Sequence, residues 1–443
     1  MAISLQLIYV LILLLFINIY FIYKHKYYQS TVLMVILLFF VPTDAMGILS
    51  GKPYSTSGAL NLSLVGYDIV IMWLVTASKK RFSIKNISKN DLIVCIGCFS
   101  GMIILRMMVD GIGAFSNKML DNFLLPFMAA LFVASYLRKE YVAKLLKVIY
   151  LCILVNAGIA CAEYVVGRSL FFHSYYLSTV GWYPNIYNSV KWGVPFRCTA
   201  CLGHPLTNGL YYNLAVVYLY HDERRKTKKG RTLQWLLLTC AIITTNARSA
   251  LLVFIVYTAI HLLIQKKIKD TVIFISAAII GFFFVDFQSV YSQLFARDIT
   301  GSSISVRLIA LSSFLKISLK NLLLGVGYNN VTKVTSKFGI GNFEISYFSI
   351  LLENGLLGFT LWVVSMLSFY KKSMIKKYQN LDIRRIINGM LISYLVIGGM
   401  SNSFADPGSL NYILWIILAL SRIFDVRNFP LSNSMKIDSI QEN

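Results

Sequence analysis

The chain is a succession of apolar blocks, each close to the length that crosses a lipid bilayer, divided by short polar loops. A transmembrane helix needs about 20 apolar residues, because it rises about 1.5 Å per residue through a hydrocarbon layer about 30 Å thick. Such blocks lie at about 4–23, 31–50, 59–77, 91–108, 119–136, 145–166, 205–221, 271–287, 346–369, 386–403 and 407–421. This pattern predicts an all-α integral membrane protein that forms a single polytopic domain over residues 1–443.

The composition excludes a soluble protein. Hydrophobic residues make up 57% of the chain and charged residues only 14%. A soluble surface needs about a quarter of its residues charged. The first apolar block has no small-residue cleavage site and runs directly into Lys24 and Lys26, so we expect a retained helix and not a cleaved signal peptide.

One apolar block, residues 233–264, is too long for a single crossing. As one helix it would extend about 48 Å at 1.5 Å per residue. Its only interruption is the stretch from Thr244 to Ser249, and basic clusters flank it on both sides. Because both flanks favour the cytoplasm, the block is predicted to be a hairpin with Arg248 near its apex. The total is then about 12–13 transmembrane helices.

The net charge of +23 acts as an orientation signal. Lys and Arg collect in the cytoplasmic loops of membrane proteins. Most of the 42 basic residues lie in alternate loops at 24–30, 78–90, 137–147, 222–234, 265–270 and 370–385 and in the tail at 422–443. This distribution predicts a cytoplasmic C-terminal tail and an outer N-terminus, and nucleic acid is not needed to explain the basic surplus.

Two predicted outer loops are long, at 167–204 and 288–345. Long loops between short ones are usually functional. The first is rich in aromatic residues, among them Trp182, Tyr183 and Trp192. Aromatic faces pack on the C–H faces of sugars, so these three are candidate sugar-binding residues. The alternative is an aromatic belt at the membrane interface.

The first loop ends with Arg197 and His204 just before a helix that is predicted to begin at Pro205. A Cys-x-x-C pair, Cys198 and Cys201, lies between them. Such a pair can hold a metal or perform redox chemistry, but without a second cluster the pattern is weak. We therefore predict no metal site here.

Two arginines stand out by their context. Arg248 interrupts an apolar hairpin, where an arginine is costly and by default functional. Arg307 lies in the second outer loop, where positive charge should be scarce. The guanidinium fork suits bidentate recognition of phosphate. The alternatives are snorkelling of Arg248 to the headgroups and a solvated surface around Arg307.

Glu344 lies where the second loop meets the next span and is a candidate general base or a structural ion-pair partner. Glu353 falls inside that span, where a polar helix neighbour is expected to pair with it. The segment Gly325–Asn330 is glycine-rich but lacks the lysine of a P-loop, so we predict no nucleotide binding. The outer loops contain no Asp-x-Asp motif, and no cofactor is predicted.

Four ordered segments over about 195–360 resemble the O-antigen polymerase and O-antigen ligase superfamily. Arg197–Gly209 (R-C-T-A-C-L-G-H-P-L-T-N-G) and Thr245–Ala250 (T-N-A-R-S-A) are similar to its Arg/His-Pro stretch and its Arg-containing hairpin. Ser305–Arg307, with Gly325-Val326-Gly327 downstream, resembles the Arg and Gly-x-Gly of its large outer loop. Ser346–Gly358 (S-Y-F-S-I-L-L-E-N-G-L-L-G) resembles the span that follows.

One departure bears on the activity. The ligases of this superfamily carry a His-Asn pair at the positions of Glu344 and Ile345, so the chain resembles the polymerases more than the ligases. The resemblance implies an architecture like that of GT-C glycosyltransferases, with no metal. It implies that Arg197, Arg248 and Arg307 bind a pyrophosphate and that Glu344, or alternatively His204, is the catalytic base.

The resemblance also implies the setting. The substrate would be an undecaprenyl-pyrophosphate-linked oligosaccharide in the bacterial cytoplasmic (inner) membrane, joined into O-antigen or capsule at a site that faces outside. Membrane lipid, a chain-length regulator and other export proteins are the expected partners. An O-antigen ligase and a transporter of lipid-linked glycans remain the alternatives, although a transporter should carry basic residues along a path through several spans.

Overall fold

The computed structural model describes residues 2–41, 62–79, 87–111, 119–179, 183–190, 196–222, 228–264, 312, 316–327, 330–337, 345–370, 381–399 and 409–423. Within these residues every regular element is helical. This confirms the predicted all-α membrane protein. The predicted span at 271–287 and most of the second outer loop lie outside the described residues.

Most helices follow the predicted apolar blocks, but the helix predicted at 31–50 begins at Tyr27 and ends at Phe40. The first eight are α1 (Ala2–Tyr23), α2 (Tyr27–Phe40), α3 (Leu64–Ser78), α4 (Lys89–Asp110), α5 (Leu125–Tyr136), α6 (Val142–Val166), α7 (His173–Thr179) and α8 (Tyr183–Val190). The others are α9 (Pro205–His221), α10 (Lys228–Thr244), α11 (Arg248–Ile264), α12 (Leu319–Leu324), α13 (Val331–Ser336), α14 (Ser346–Phe369), α15 (Leu381–Gly399) and α16 (Ser409–Ile423). The predicted hairpin is confirmed as two helices separated by residues 245–247.

By length and composition alone, three described helical segments are suited to cross a membrane: Lys89–Asp110, Lys139–Val166 and Ser346–Phe369. Shorter apolar helices accompany them. Their outward faces carry large exposed hydrophobic residues, such as Tyr9 and Phe16 on α1 and Met108 on α4. Such faces suit contact with lipid.

The core forms where α4 packs on α14, α5 on α16, α9 on α15 and α6 on α10. On α5, Ala129, Ala130 and Ala134 are fully buried. Small residues let helix backbones approach closely, which matters in a membrane because lipid gives apolar helices little reason to associate. α16 continues to Ile423, two residues into the predicted tail, because Arg422 is buried against α14 and pairs with Asp91 at 2.7 Å.

A π-helical turn, Leu120–Leu124, leads into α5. Pro126 follows and has no N–H to donate to the carbonyl of Asn122, which favours a locally wider turn. The turn contains Asp121, whose buried carboxylate accepts hydrogen bonds from the Ser63 N–H at 2.9 Å, the Ser63 hydroxyl at 2.7 Å and the Tyr412 hydroxyl at 2.6 Å. One carboxylate thus ties together α3, α5 and α16.

We expect Tyr412→Phe to lower the free energy of unfolding of the detergent-solubilised protein by about 1–3 kcal/mol, because a buried carboxylate loses a hydrogen-bond donor. Thermal unfolding followed by circular dichroism measures the change. Tyr20→Phe is the matched control, since Tyr20 is exposed on α1. Identical unfolding midpoints for the two variants would contradict this role of Tyr412.

Candidate functional site

The segment that ends the first outer loop lies on the apex of the α10–α11 hairpin. The Cys198 N–H donates to the Thr244 carbonyl at 3.2 Å, and Arg197 Nε donates to the Thr245 carbonyl at 3.3 Å. Arg248 begins α11 three residues after Thr245. The structure thus brings together two of the four segments that carry the family resemblance, although the Arg248 side chain lies outside the described atoms.

Close packing of α9 on α11 secures this contact. A Cβ atom at Gly209 would lie 2.6 Å from the Cβ atom of Ala250, so only glycine fits without a shift. Asn213, one turn further along α9, donates to the Ala250 carbonyl at 3.0 Å and to the Gly209 carbonyl at 2.8 Å. The start of α11 is therefore fixed relative to α9.

A tight turn at residues 199–204 precedes α9. Ala200 and Gly203 both have positive φ, 42° and 77°. The Gly203 N–H donates to the Thr199 carbonyl at 3.0 Å, and the extended backbone of His204 provides the N-cap position before Pro205. Pro205 suits the first helical position because its missing N–H would have no helical partner there.

Glu163, near the end of α6, holds this turn in place. Its fully buried carboxylate accepts hydrogen bonds from the N–H groups of Thr199 at 3.1 Å and Ala200 at 2.8 Å. Its other oxygen accepts the N–H of Leu170 at 3.0 Å, where the loop begins. A single carboxylate therefore joins the two ends of the first outer loop. Sequence reasoning missed Glu163 because its partners lie up to 37 residues away.

Two asparagines complete the support. Asn156 on α6 accepts the Cys201 N–H at 3.0 Å and donates to the Asn208 side chain at 2.7 Å. Asn208 in turn donates to the Thr199 carbonyl at 2.6 Å. The polar groups of the turn thus meet partners inside the protein, as burial requires.

The first outer loop also has a core of its own, in which Tyr183 lies. The Tyr183 side chain is fully buried, and its hydroxyl accepts the Ser169 N–H at 2.9 Å and lies 2.9 Å from His173 Nδ1. Burial raises the pKa of Tyr183 to about 12. The structure therefore places the Tyr183 side chain in the interior of the loop, and its predicted sugar-binding role stays a prediction.

His204 is partly buried beside Arg197. Burial, and secondarily the positive charge of Arg197, lowers the pKa of His204 to about 4. The imidazole is consequently neutral at physiological pH. A neutral imidazole can accept a proton or a hydrogen bond, but its low basicity makes it a weak general base.

The Cys-x-x-Cys pair is structural. Cys198 and Cys201 are both buried free thiols, and the Cys198 thiol donates to the Ala160 carbonyl at 2.9 Å. Burial raises the pKa of each to about 12. Among the described residues no group of three or more His, Cys, Asp or Glu side chains could hold a metal ion.

The other two resemblance segments also meet each other. The Val326 N–H donates to the Leu352 carbonyl at 2.9 Å, and the Gly327 N–H donates to the Glu353 carbonyl at 3.3 Å. The Gly-x-Gly segment therefore docks against α14 where Gly355 interrupts the helix. Arg106 on α4 also donates to the Glu353 carbonyl. Sequence reasoning overlooked Arg106, although an arginine inside the apolar block 91–108 is a signal that could have identified it.

Four candidate residues have no structural description. Arg307, Glu344, Trp182 and Trp192 lie outside the described residues. Their predicted roles stay predictions.

An apolar cavity of about 460 Å³ lies between α14, α15 and α16. It extends from Tyr347, at the start of α14, to Tyr370 just beyond its end. Leu367 and Ile392 line the cavity and are 64% and 62% exposed, so its mouth opens toward the surrounding lipid. The apolar lining suits a hydrocarbon chain.

We expect Glu163→Gln to expose Cys198 and Cys201, because a Gln amide nitrogen cannot accept the N–H groups that the carboxylate holds. Maleimide labelling at about pH 8 should accelerate toward the rate of an ordinary thiol, whose pKa is about 8.5. Glu140→Gln, which changes an exposed carboxylate, is the control. Unchanged labelling of both buried thiols would show that Glu163 does not hold the turn.

A comparison with protein families gives one match. Residues 233–363 match the family model described as O-antigen ligase. No curated protein and no solved structure matches the chain. The matched region contains most of α10, all of α11 and the larger part of α14, and thus the hairpin apex, the Gly-x-Gly segment and the helix break. The match supports the resemblance to the O-antigen ligase and polymerase superfamily seen in the sequence, and it places the similarity in residues 233–363.

Proposed function

We propose that this protein is a polymerase that joins polyprenyl-pyrophosphate-linked oligosaccharide repeat units at the outer face of the bacterial cytoplasmic membrane. The observation that carries the proposal is the docking of the Arg197 segment on the hairpin apex where Arg248 begins α11. Two arginines that the resemblance assigns to pyrophosphate binding thus belong to backbones in direct contact.

The reaction we propose is a glycosyl transfer. A hydroxyl oxygen of the incoming lipid-linked unit attacks the anomeric carbon of the growing chain. The bond between that carbon and the pyrophosphate oxygen breaks as the new glycosidic bond forms, and the polyprenyl pyrophosphate leaves with its bonding electrons. Negative charge develops on the leaving group, so preorganised guanidinium groups there stabilise the transition state.

The residues fit this scheme in separate roles. Arg197 and Arg248, together with Arg307, would bind the pyrophosphate in bidentate fashion. The acceptor proton would pass to Glu344 or to His204. Of the two, Glu344 is favoured by position, because it occupies the place of the histidine that the ligases carry. The neutral imidazole of His204 could still hold an acceptor hydroxyl by a hydrogen bond.

The apolar cavity supports a lipid-linked substrate. It begins at Tyr347, three residues after Glu344, and opens sideways between α14 and α15. A prenyl chain could therefore enter from the bilayer while its pyrophosphate reached the outer loops. The sugars would meet those loops, where Trp182 and Trp192 remain candidate stacking residues.

A ligase is the second candidate function, because the matching family model is described as O-antigen ligase. A ligase would use the same donor and a different acceptor. The positions of its expected His-Asn pair are occupied by Glu344 and Ile345 in this chain, which favours a polymerase.

Glycan gel analysis of a deletion strain tests the proposal. We expect single repeat units on the final carrier, because export and ligation continue without polymerisation. Complete long chains stranded on the lipid carrier would instead identify a ligase, and the absence of any exported repeat would identify a transporter.

We expect Arg197→Ala, Arg248→Ala and Arg307→Ala, at normal membrane abundance, each to reduce chain assembly by about 100-fold or more, as for removal of a transition-state donor. Complementation of the deletion strain followed by glycan gels measures the loss. Arg138→Ala is the matched control, because Arg138 is exposed in a loop beside Glu140. Full-length chains from the first three variants would refute the pyrophosphate assignment.

The pH dependence of chain assembly in isolated membranes should show no step between about pH 6 and pH 7, where an ordinary histidine titrates. His204 has a lowered pKa, so it stays neutral as the pH falls through this window and gains its proton only near about 4. His25→Gln is the control, because His25 lies in the loop 24–30, which is predicted to face the cytoplasm and not the proposed site. A step near about pH 6.5 that His204→Gln abolishes would contradict the assignment of a neutral imidazole.

A further inference from the structure

α14 is interrupted in the middle of a membrane span. Gly355 has φ 69° and ψ 174°, which is not helical. The carbonyl groups of Leu352 and Glu353 precede the break and cannot both keep regular helical partners across it. The bilayer interior offers no water to replace those partners, so each carbonyl needs another donor from the protein.

The second outer loop supplies these donors. The N–H groups of Val326 and Gly327 bind the Leu352 and Glu353 carbonyls at 2.9 and 3.3 Å. Gly325 and Gly327 have φ of 82° and 84°, a conformation that favours glycine. A side chain at Gly327 would also collide with the carboxylate of Asp110. The turn therefore fits the break only with glycine at both positions.

α4 closes the contact from the other side. Arg106 and Asp110, one turn apart, form an ion pair at 3.0 Å and are 1% and 2% exposed. Arg106 also donates to the Glu353 carbonyl, and Asp110 lies against Gly327. A buried ion pair is costly to place in a membrane. Its contacts with the Glu353 carbonyl and with Gly327 indicate that it holds the loop turn and the helix break together.

A small apolar cluster adds to this docking. Val326 and Val331 of the loop segment are buried against Leu352 of α14. We call the Arg106–Asp110 pair, the Gly325–Gly327 turn and the α14 break the clasp. Helix α13 follows the turn and contacts α14, so the clasp holds this described part of the loop in place.

We propose that Arg106 is a positioning residue for glycan transfer: through the clasp it fixes the Gly325–Gly327 turn and α13 of the second outer loop against α4 and α14. This proposal rests on the proposed function for its catalytic consequence. α4 lies outside the matched region 233–363, so the family comparison does not assign this role. Arg106 itself is not placed in contact with the substrate.

The first test measures the loop and not the reaction. Lys333 and Lys337 follow the turn and are exposed. We expect Arg106→Met and Gly327→Ala each to accelerate tryptic cleavage at these lysines in the purified full-length protein. Gly111→Ala is the matched control, because Gly111 also has positive φ, 63°, but a side chain there meets open space.

The second test measures chain assembly at equal membrane abundance. We expect Arg106→Met to reduce the rate on the order of 100-fold, since misplacement of reacting groups by about 1 Å has that effect. Arg106→Lys should retain part of the rate, because an ammonium can still pair with Asp110 and donate once. The double variant Arg106→Met with Gly327→Ala should lose no more than either single variant, because residues that act as one unit are not additive.

The outcomes separate the two proposals. Faster cleavage with reduced assembly, partial rescue by lysine and an unaffected Gly111→Ala would support the positioning role. Unchanged cleavage in Arg106→Met would overturn the clasp, and faster cleavage with full assembly would overturn its role in transfer. If the deletion strain showed that the wild-type chain does not polymerise glycans, the proposed function would fail while the cleavage result still judged the clasp.

Discussion

The structure depends on one constraint, that a backbone polar group away from water must find its partner inside the protein. A regular helix meets this requirement by itself, and each departure from a helix needs another donor or acceptor. Glu163 provides the acceptors for the turn at residues 199–200, and the Gly325–Gly327 turn provides donors for the break at Gly355. Polar residues inside the helical bundle therefore mark the places where the chain is irregular.

These irregular places coincide with the segments that resemble the superfamily. The Arg197 segment packs on the hairpin apex, and the Gly-x-Gly segment packs on α14. Segments that are distant in sequence thus form two pairs, each held by a buried charged residue of an earlier helix, Glu163 of α6 or Arg106 of α4. The amino-terminal half supports motifs that belong largely to the carboxy-terminal half.

Sequence reasoning predicted the helices well where an apolar run is uninterrupted. The spans at 205–221 and 346–369 agree with α9 and α14 to the residue, and the hairpin break at residues 244–249 was placed correctly. Hydropathy alone determines such spans, because a bilayer of fixed thickness sets their length. The break at Gly355 was missed, since a glycine among apolar residues leaves the hydropathy of the span unchanged.

The candidate site was predictable only in part. Arg197 and Arg248 were identified because a charge in an apolar context is visible locally. Glu163 and Arg106 act through partners 37 and 247 positions away, and no local pattern shows such pairings. The packing of Tyr183 on Tyr176 and Phe196 inside the first outer loop is equally invisible to a local pattern, which shows only that the loop is rich in aromatic residues.

The carboxylate of Glu163 has a consequence for how the first outer loop responds to change. Because it joins Leu170 to Thr199 and Ala200, it draws the two ends of the loop together. Tyr183, between these ends, accepts the Ser169 N–H and packs on Phe196, the residue before Arg197. The described part of the loop and its base are therefore mechanically coupled, so a substitution at Tyr183 acts on the backbone that carries Arg197.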